Sequence, residues 1–249
     1  PMGIVLSGGL DSSLVAAVAH EAAERAGQPV PACWTVAESE DNPDWIAAET
    51  VASALDLDHH QHVLEADAFD QKLPDLTWHG EDFDVTVLFF QPLFQKMAEK
   101  VTVGLCGQGA DELHAGYPRY RNLAEHAALI DARLAAIEHP AARQMEQGQL
   151  PVGDAWYTEN HSGGAHTESL ESFLNFELEH GQLSNFQLRL VDRHSMAHSL
   201  EVRVPFLGSA HRKASNALPM NWRLPESLEE KAALRAAADH TRLPSEIVR

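Results

Sequence analysis

Residues 7–13 read Ser7-Gly8-Gly9-Leu10-Asp11-Ser12-Ser13, between a short apolar run and a helical pattern. Glycines at 8 and 9 let the backbone turn sharply and bring its N–H groups close to a ligand. The helix that follows aims its free amides and positive dipole end at the same place, which favours an anion. Ser7, Ser12 and Ser13 add hydroxyl donors. No G-x-x-x-x-G-K-[ST] string is present, so this is not a Walker loop. Asp11 is out of place beside a bare phosphate, and makes sense where Mg²⁺ bridges it to phosphate oxygens. Its plainer reading is a helix cap contributing about 1 kcal/mol. The whole string, coming after a buried strand, points to the pyrophosphate of a nucleotide.

A second loop, Cys106-Gly107-Gln108-Gly109-Ala110-Asp111-Glu112-Leu113, follows another apolar run. Alone it reads as a glycine-rich turn with surface acids. Ligands of parallel α/β sheets lie beyond the carboxyl ends of the strands, so both loops belong at that edge. Asp111 then becomes the expected second carboxylate for the same Mg²⁺.

The elements that must position these loops alternate in type. Residues 3–7 form a strand, and 11–26 a helix with Leu14, Val15, Val18, Ala19 and Ala22 on one face. Strand 32–37, helix 44–57, strand 60–64, a helical stretch near 87–100 and strand 101–106 follow. That repetition predicts an α/β fold, a parallel sheet with helices on both faces. From Tyr120 onward the patterns are helical (168–180, 183–200, 228–240), around a soft polar region at 138–167. The expected organisation is a nucleotide-binding core over 1–120 and a mainly helical half over 121–249 that completes the same domain.

Composition narrows the partners. Asp plus Glu number 37 against 18 Lys plus Arg, a net charge of −19, and only five of the basic residues are lysine. So much negative charge repels nucleic acid and anionic membrane. An acidic, lysine-poor surface also suits a salt-rich cytoplasm, where charge repulsion is screened. No run reaches the ~20 apolar residues of a membrane span, and no signal peptide is visible, so the reading is cytoplasmic. Cys33 and Cys106 sit in apolar runs and read as buried, reduced thiols. His60 and His62 share a strand face and His194 and His198 are i,i+4 on a helix; packing or exposure accounts for them better than metal does.

These motifs together resemble the synthetase domain of glutamine-dependent asparagine synthetases and the related β-lactam-forming synthetases, over nearly the whole chain. SGGLDSS matches that family's pyrophosphate loop, and TVAESEDNPD at 35–44 its second-strand region. HGEDFDVT at 79–86 is similar to H-x-E-T-Y-D-V-T, and GQGADELHAGYPRY at 107–120 to GEGADE…GGY. DRHSMAHSLEVRVPF at 192–206 is the closest match, and EKAALRAAA with LPSEIVR resembles the family's C-terminal helix and exit. The resemblance implies an ATP-pyrophosphatase core of adenine nucleotide alpha hydrolase type. It implies ATP bound by Leu6, Ser7, Gly8, Gly9, Asp11, Ser12, Ser13, Val36, Cys106 and Gly107, with Mg²⁺ on Asp11 and Asp111. Gln108 and Lys231 are the expected catalytic positions. Lys231 falls on a predicted helix and either neutralises phosphate or is a solvated neighbour of Glu230. Glu201 and Arg203 are expected to form a buried pair holding a wall of the site.

The implied activity is an ATP-dependent ligase: a carboxylate attacks the α-phosphate, pyrophosphate leaves, and an amine displaces AMP to form an amide. Three departures bear on the substrate. No glutaminase domain is present in the sequence, so ammonia is expected from solution or from a separate glutaminase subunit, or another amine serves. Gln108 stands where asparagine synthetases carry the glutamate of GEG, and a neutral amide cannot act as a base. Val87-Leu88-Phe89-Phe90 replaces a stretch that carries an arginine. The sequence also ends at Arg249, before the family's R-P-K segment. Asparagine formation is the leading reading; a ligase for another carboxylic acid and a nucleotide-binding subunit with little catalysis remain open beside it. A tRNA-modifying enzyme is disfavoured by the charge.

Overall fold

The computed structural model describes residues 1–64, 67–81, 90–136, 169–227 and 229–249. Its sheet has five strands, β1 (Met2–Val5), β2 (Ala32–Ala37), β3 (His59–Val63), β4 (Val103–Leu105) and β5 (Glu201–Arg203), in the order β3-β2-β1-β4-β5. Every pairing is parallel: Gly3 faces Ala32, Ile4 faces Leu105, Trp34 faces His60 and Gly104 faces Val202. The parallel α/β expectation therefore holds. The count does not, because residues 201–203 were read only as an extended segment and are in fact a fifth strand at the sheet's edge.

Local chemistry explains the elements. Helix α1 (Leu10–Ala26) ends on Gly27 at φ 62, whose N–H reaches the last-turn carbonyls. Helix α2 (Pro43–Ala54) starts at Asn42, whose side chain accepts from Asp44 N–H at 2.7 Å, with proline at the first helical position. Helix α3 (Asp67–Gly80) was not foreseen, and α4 (Phe90–Ala98) ends two residues before the end of the stretch expected at 87–100. On one sheet face Leu93, Phe94 and Met97 of α4 pack against Trp34, Val5, Val101 and Leu200, forming the core beneath the strands. Gly3 has no side chain because a Cβ there would enter the Trp34 ring.

Two compact units result. The first comprises residues 1–108, 189–211 and 234–249, and so contains the whole sheet; the second comprises 109–188 and 212–233. In the second, α5 (Ala110–His114), α6 (Leu123–Ala136) and α7 (Leu170–Glu179) stand around a core of Ala115, Tyr120, Phe173 and Leu174. Helix α8 (Leu188–Met196) precedes β5, and α9 (Ser209–Asn216), α10 (Met220–Arg223), α11 (Ala232–Ala238) and α12 (Ser245–Val248) complete the chain. The soft region expected at 138–167 and Val87–Phe89 lie outside the described residues. Among the described residues, no helix is long and apolar enough to cross a membrane.

Candidate active site

The strand order reverses between β1 and β4: from β1 the chain moves to β2 and β3 on one side, then returns to β4 and β5 on the other. The crevice beyond the carboxyl ends of β1 and β4 is where parallel sheets take their ligands. Residues 6–9 and 106–108 leave the sheet there, the first leading into α1. The second loop touches the first turn of α1: a Cβ added to Gly107 would lie 2.9 Å from Ser12 N and 3.1 Å from Asp11 Cβ. A larger residue at 107 could not approach α1 this closely.

Within the first loop the serines divide their work. Ser12 Oγ accepts from Ser7 N–H at 3.1 Å, lies 3.0 Å from Ser7 Oγ and donates to Gly9 O at 3.2 Å. These bonds brace the loop. Ser13 is fully buried, and its Oγ has no hydrogen-bond partner among the described residues. Gly8 sits at φ 79, and a Cβ there would strike Ala47 and Ala48 of α2. Gly9 is the helix N-cap at φ −66, exposed, with no capping side chain. Asp11 therefore is not the cap; it lies in the first turn, partly buried.

A relay fixes the rim of this loop. Thr35 Oγ1 donates to Leu6 O at 2.6 Å and lies 2.8 Å from His59 Nε2. The hydroxyl has one proton, already given to Leu6, so His59 donates from Nε2. Burial and the nearby His60 push His59 down to about 4, which keeps it neutral for that role. Val36 lies half-buried in β2 beside this relay. Cys106 is buried, and its N–H donates to Arg203 O at 2.9 Å. Burial raises its thiol to about 11, with the Asp11 charge adding a little, so it stays protonated and is no nucleophile. Gln108 is partly exposed at the end of the first unit.

DRHSMAHSLEVRVPF serves this unit structurally. Arg193 Nη1 donates to Gly80 O at 2.7 Å and Nη2 pairs with Glu81 at 2.9 Å, tying α8 to the end of α3. His194 is buried against Gly80. Arg203 Nε does pair with Glu201 at 2.8 Å, but both side chains are about 60% exposed, at 58% and 60%. The expected buried pair is a surface contact, because residues two apart on an edge strand point to the same open face.

Asp111 and Lys231 meet in the second unit, with Lys231 Nζ 2.7 Å from Asp111 Oδ1. Lys231 is 8% exposed, which excludes a solvated neighbour of Glu230. It lies in the turn before α11 at φ 57, not on the helix expected at 228–240. A non-glycine residue there costs about 1–2 kcal/mol. The carbonyl of Leu113, in the last turn of α5, accepts from Ser215 Oγ at 3.0 Å and from the buried Arg223 at 3.2 Å. These bonds hold the helix that carries Asp111.

Sequence reasoning missed a buried polar cluster beside it. Glu112 is fully buried, neither oxygen has a hydrogen-bond partner among the described residues, and burial pushes its carboxyl up to about 7, the Asp111 charge adding. Arg119 pairs with Glu177 at 3.3 Å and lies 4.0 Å over the Tyr117 ring, whose hydroxyl accepts from Gln187 Nε2 at 2.9 Å. Glu112, Tyr117 and Arg119 share one motif, but Glu177 and Gln187 are 58 and 70 residues away from their partners and carry no spacing signal.

The donors suit Mg²⁺. Among the described residues no group of three or more His, Cys, Asp or Glu is placed to hold a metal. A Mg²⁺ held by one or two carboxylates, with phosphate and water completing its shell, needs no such group. Asp111 already has a cation on its carboxylate, in the form of the Lys231 ammonium. Asp11 and Asp111 belong to different units, so their joint hold on one ion rests on the sequence resemblance.

The asparagine synthase family profile matches residues 1–249. The chain is 28% identical over 255 residues to the asparagine synthetase (glutamine-hydrolyzing) of Cricetulus griseus, covering 99% of this chain and 38% of that protein. The enzymes of the same name from Homo sapiens and Gallus gallus match over the same span at 28% and 27%. The chain thus spans under two fifths, 38%, of the length of these relatives.

Proposed function

The chain belongs to the asparagine synthase family, and from that premise we propose that it is the ATP-dependent synthetase part of an amide-forming ligase. The observation that carries the reading is the loop at the sheet's switch point: left-handed Gly8, exposed Gly9 and the amides of α1. Such a cradle holds the phosphates of ATP, with Leu6, Val36, Cys106 and Gly107 as its walls. Mg²⁺, when bound to Asp11 and Asp111, supplies neutralisation of the pyrophosphate charge. The loop amides and helix dipole do the same from the protein, and are in place before the reaction begins. A substrate carboxylate oxygen attacks the α-phosphorus, the bond to pyrophosphate breaks, and ammonia or another amine displaces AMP.

The leading acid is aspartate, giving asparagine, with nitrogen arriving as ammonia from solution or from a glutamine-hydrolysing partner. Gln108 favours a second reading. A neutral amide at that position neither takes a proton nor holds a substrate ammonium as a carboxylate does, which suits a different acid.

The test is pyrophosphate release by the chain as it occurs in its natural protein, given ATP, Mg²⁺, ammonium and a panel of carboxylic acids. Release with aspartate alone supports asparagine synthesis, and release with another acid supports the second reading. No release with any acid leaves a nucleotide-binding part. Asp11→Asn and Asp111→Asn should each lower turnover by on the order of 10²–10³, the usual loss for one group that stabilises transition-state charge. Unchanged rates in both would sink the metal assignment.

A further inference from the structure

Strands β1 and β2 stop pairing one rung early, and a side chain is the reason. Their register runs from Gly3 opposite Ala32 to Val5 opposite Trp34. Leu6 N–H, one residue past the end of β1, still donates to Trp34 O at 3.0 Å. In a parallel ladder the next rung is Val36 N–H to Leu6 O. That carbonyl instead accepts from the Thr35 hydroxyl at 2.6 Å, and the register ends without that rung. Short hydroxyl side chains compete with sheet ladders in this way. On the other side of β2, Cys33 N–H donates to Asp58 O and Ala37 O accepts from Leu64 N–H, both at 2.8 Å. Main-chain groups of alternate residues turn to opposite neighbours, so those of Trp34 and Val36 face β1. The Val36 N–H therefore lies beside the carboxyl end of β1, at the crevice.

We propose that Thr35, held by His59, is a positioning residue for the nucleotide: by taking the Leu6 carbonyl it leaves the Val36 N–H to an acceptor atom on the base of ATP. This role rests on the reading of Val36 as a wall of the ATP site. A main-chain donor already bonded across the sheet has nothing to offer a ligand. Thr35 is buried, so its hydroxyl bonds to protein and not to solvent. His59 Nε2 donates to Thr35 Oγ1 at 2.8 Å, which occupies the oxygen and leaves its single proton for Leu6. Both side chains act through the backbone of Leu6 and Val36. The phosphate cradle is shaped by its own glycines, so Thr35 governs the hold on the base and not on the phosphates.

The probes are ATP and tripolyphosphate, which lacks the base, each titrated with Mg²⁺ by calorimetry into protein shown by thermal melts to be folded. Thr35→Val keeps the branched shape and removes the hydroxyl, so Leu6 O is free to take the Val36 N–H. It should weaken ATP on the order of tenfold, the loss of one hydrogen bond, and leave tripolyphosphate unchanged. Thr35→Ser keeps the hydroxyl and should bind ATP as the parent does, a rescue that a purely structural role does not predict. A second measurement needs no variant: hydrogen exchange at the Val36 amide of the parent should slow when ATP is added, and not with tripolyphosphate. Unchanged ATP affinity in Thr35→Val, an equal loss of tripolyphosphate, a loss shared by Thr35→Ser, or a Val36 amide indifferent to ATP each overturns the positioning role. Failure of the underlying reading looks different: the parent would then bind neither ATP nor tripolyphosphate.

Discussion

At the scale of single residues, the site is governed by which groups keep or lose protons on burial. Cys106 and Glu112 are both pushed toward neutrality, whereas Asp111 is matched by Lys231. His59 offers a measurable case. Folded, it takes its proton only near pH 4; unfolded, near 6.5. Between those values the unfolded chain binds more protons. The stability contributed by neutral His59 is therefore present above 6.5 and lost as pH falls toward 4. Gln at this position can still donate an N–H to Thr35 but does not titrate. The melting temperature of His59→Gln should accordingly fall less steeply than the parent's from pH 6.5 to 4, the general response of the acidic surface cancelling in the comparison. Parallel profiles would mean that His59 protonation is not coupled to folding.

Elements decide how far the glycines of the first loop are architecture and how far they are ligand surface. At Gly8 a methyl group meets left-handed backbone and the α2 chain together. Gly8→Ala should cost about 2–4 kcal/mol, the sum of a left-handed penalty and overpacking. Gly9 has ordinary φ, and the nearest atom to an added Cβ is Ser7 Oγ at 3.6 Å. Gly9→Ala should change stability by less than about 0.5 kcal/mol, yet weaken ATP binding. Urea unfolding and nucleotide titration of both variants check the pair; a stable Gly8→Ala, or a Gly9→Ala with full ATP affinity, contradicts it. These loops were legible in the sequence because apolar runs of the right length flank strings whose chemistry is local. Strand β2 was placed to the residue for that reason. Strand β5 was not counted, since its three residues, Glu-Val-Arg, lie at an edge and bury little. Lys231 was misplaced onto a helix because nothing in Glu229–Ala233 signals a left-handed turn. Its bond to Asp111 spans 120 positions, and Glu177 and Gln187 reach their partners over 58 and 70. Such contacts are made by tertiary structure alone, which local patterns do not report.

For the whole molecule the dominant physical fact is the net charge of −19. Self-repulsion of that size opposes a compact state, and the exposed ion pairs that could offset it, such as Lys96–Glu99 and Arg242–Glu24, contribute little each. Screening acts on this term directly. The Debye length falls from about 10 Å at 0.1 M salt to about 3 Å at 1 M, after which little repulsion is left to remove. We propose that the chain is adapted to salt, and the shape of its response is diagnostic. The melting temperature should climb between about 0.1 and 1 M KCl and flatten above it, because screening saturates once the Debye length is shorter than the spacing of charges. Stabilisation by exclusion of salt from apolar surface has no such plateau and keeps rising with concentration. Neutralising exposed acids, Glu40→Gln, Asp41→Asn and Glu49→Gln together, should raise stability at low salt and shrink the climb. A melting temperature independent of KCl, or a climb undiminished in that triple variant, would show that repulsion among surface carboxylates does not limit this fold.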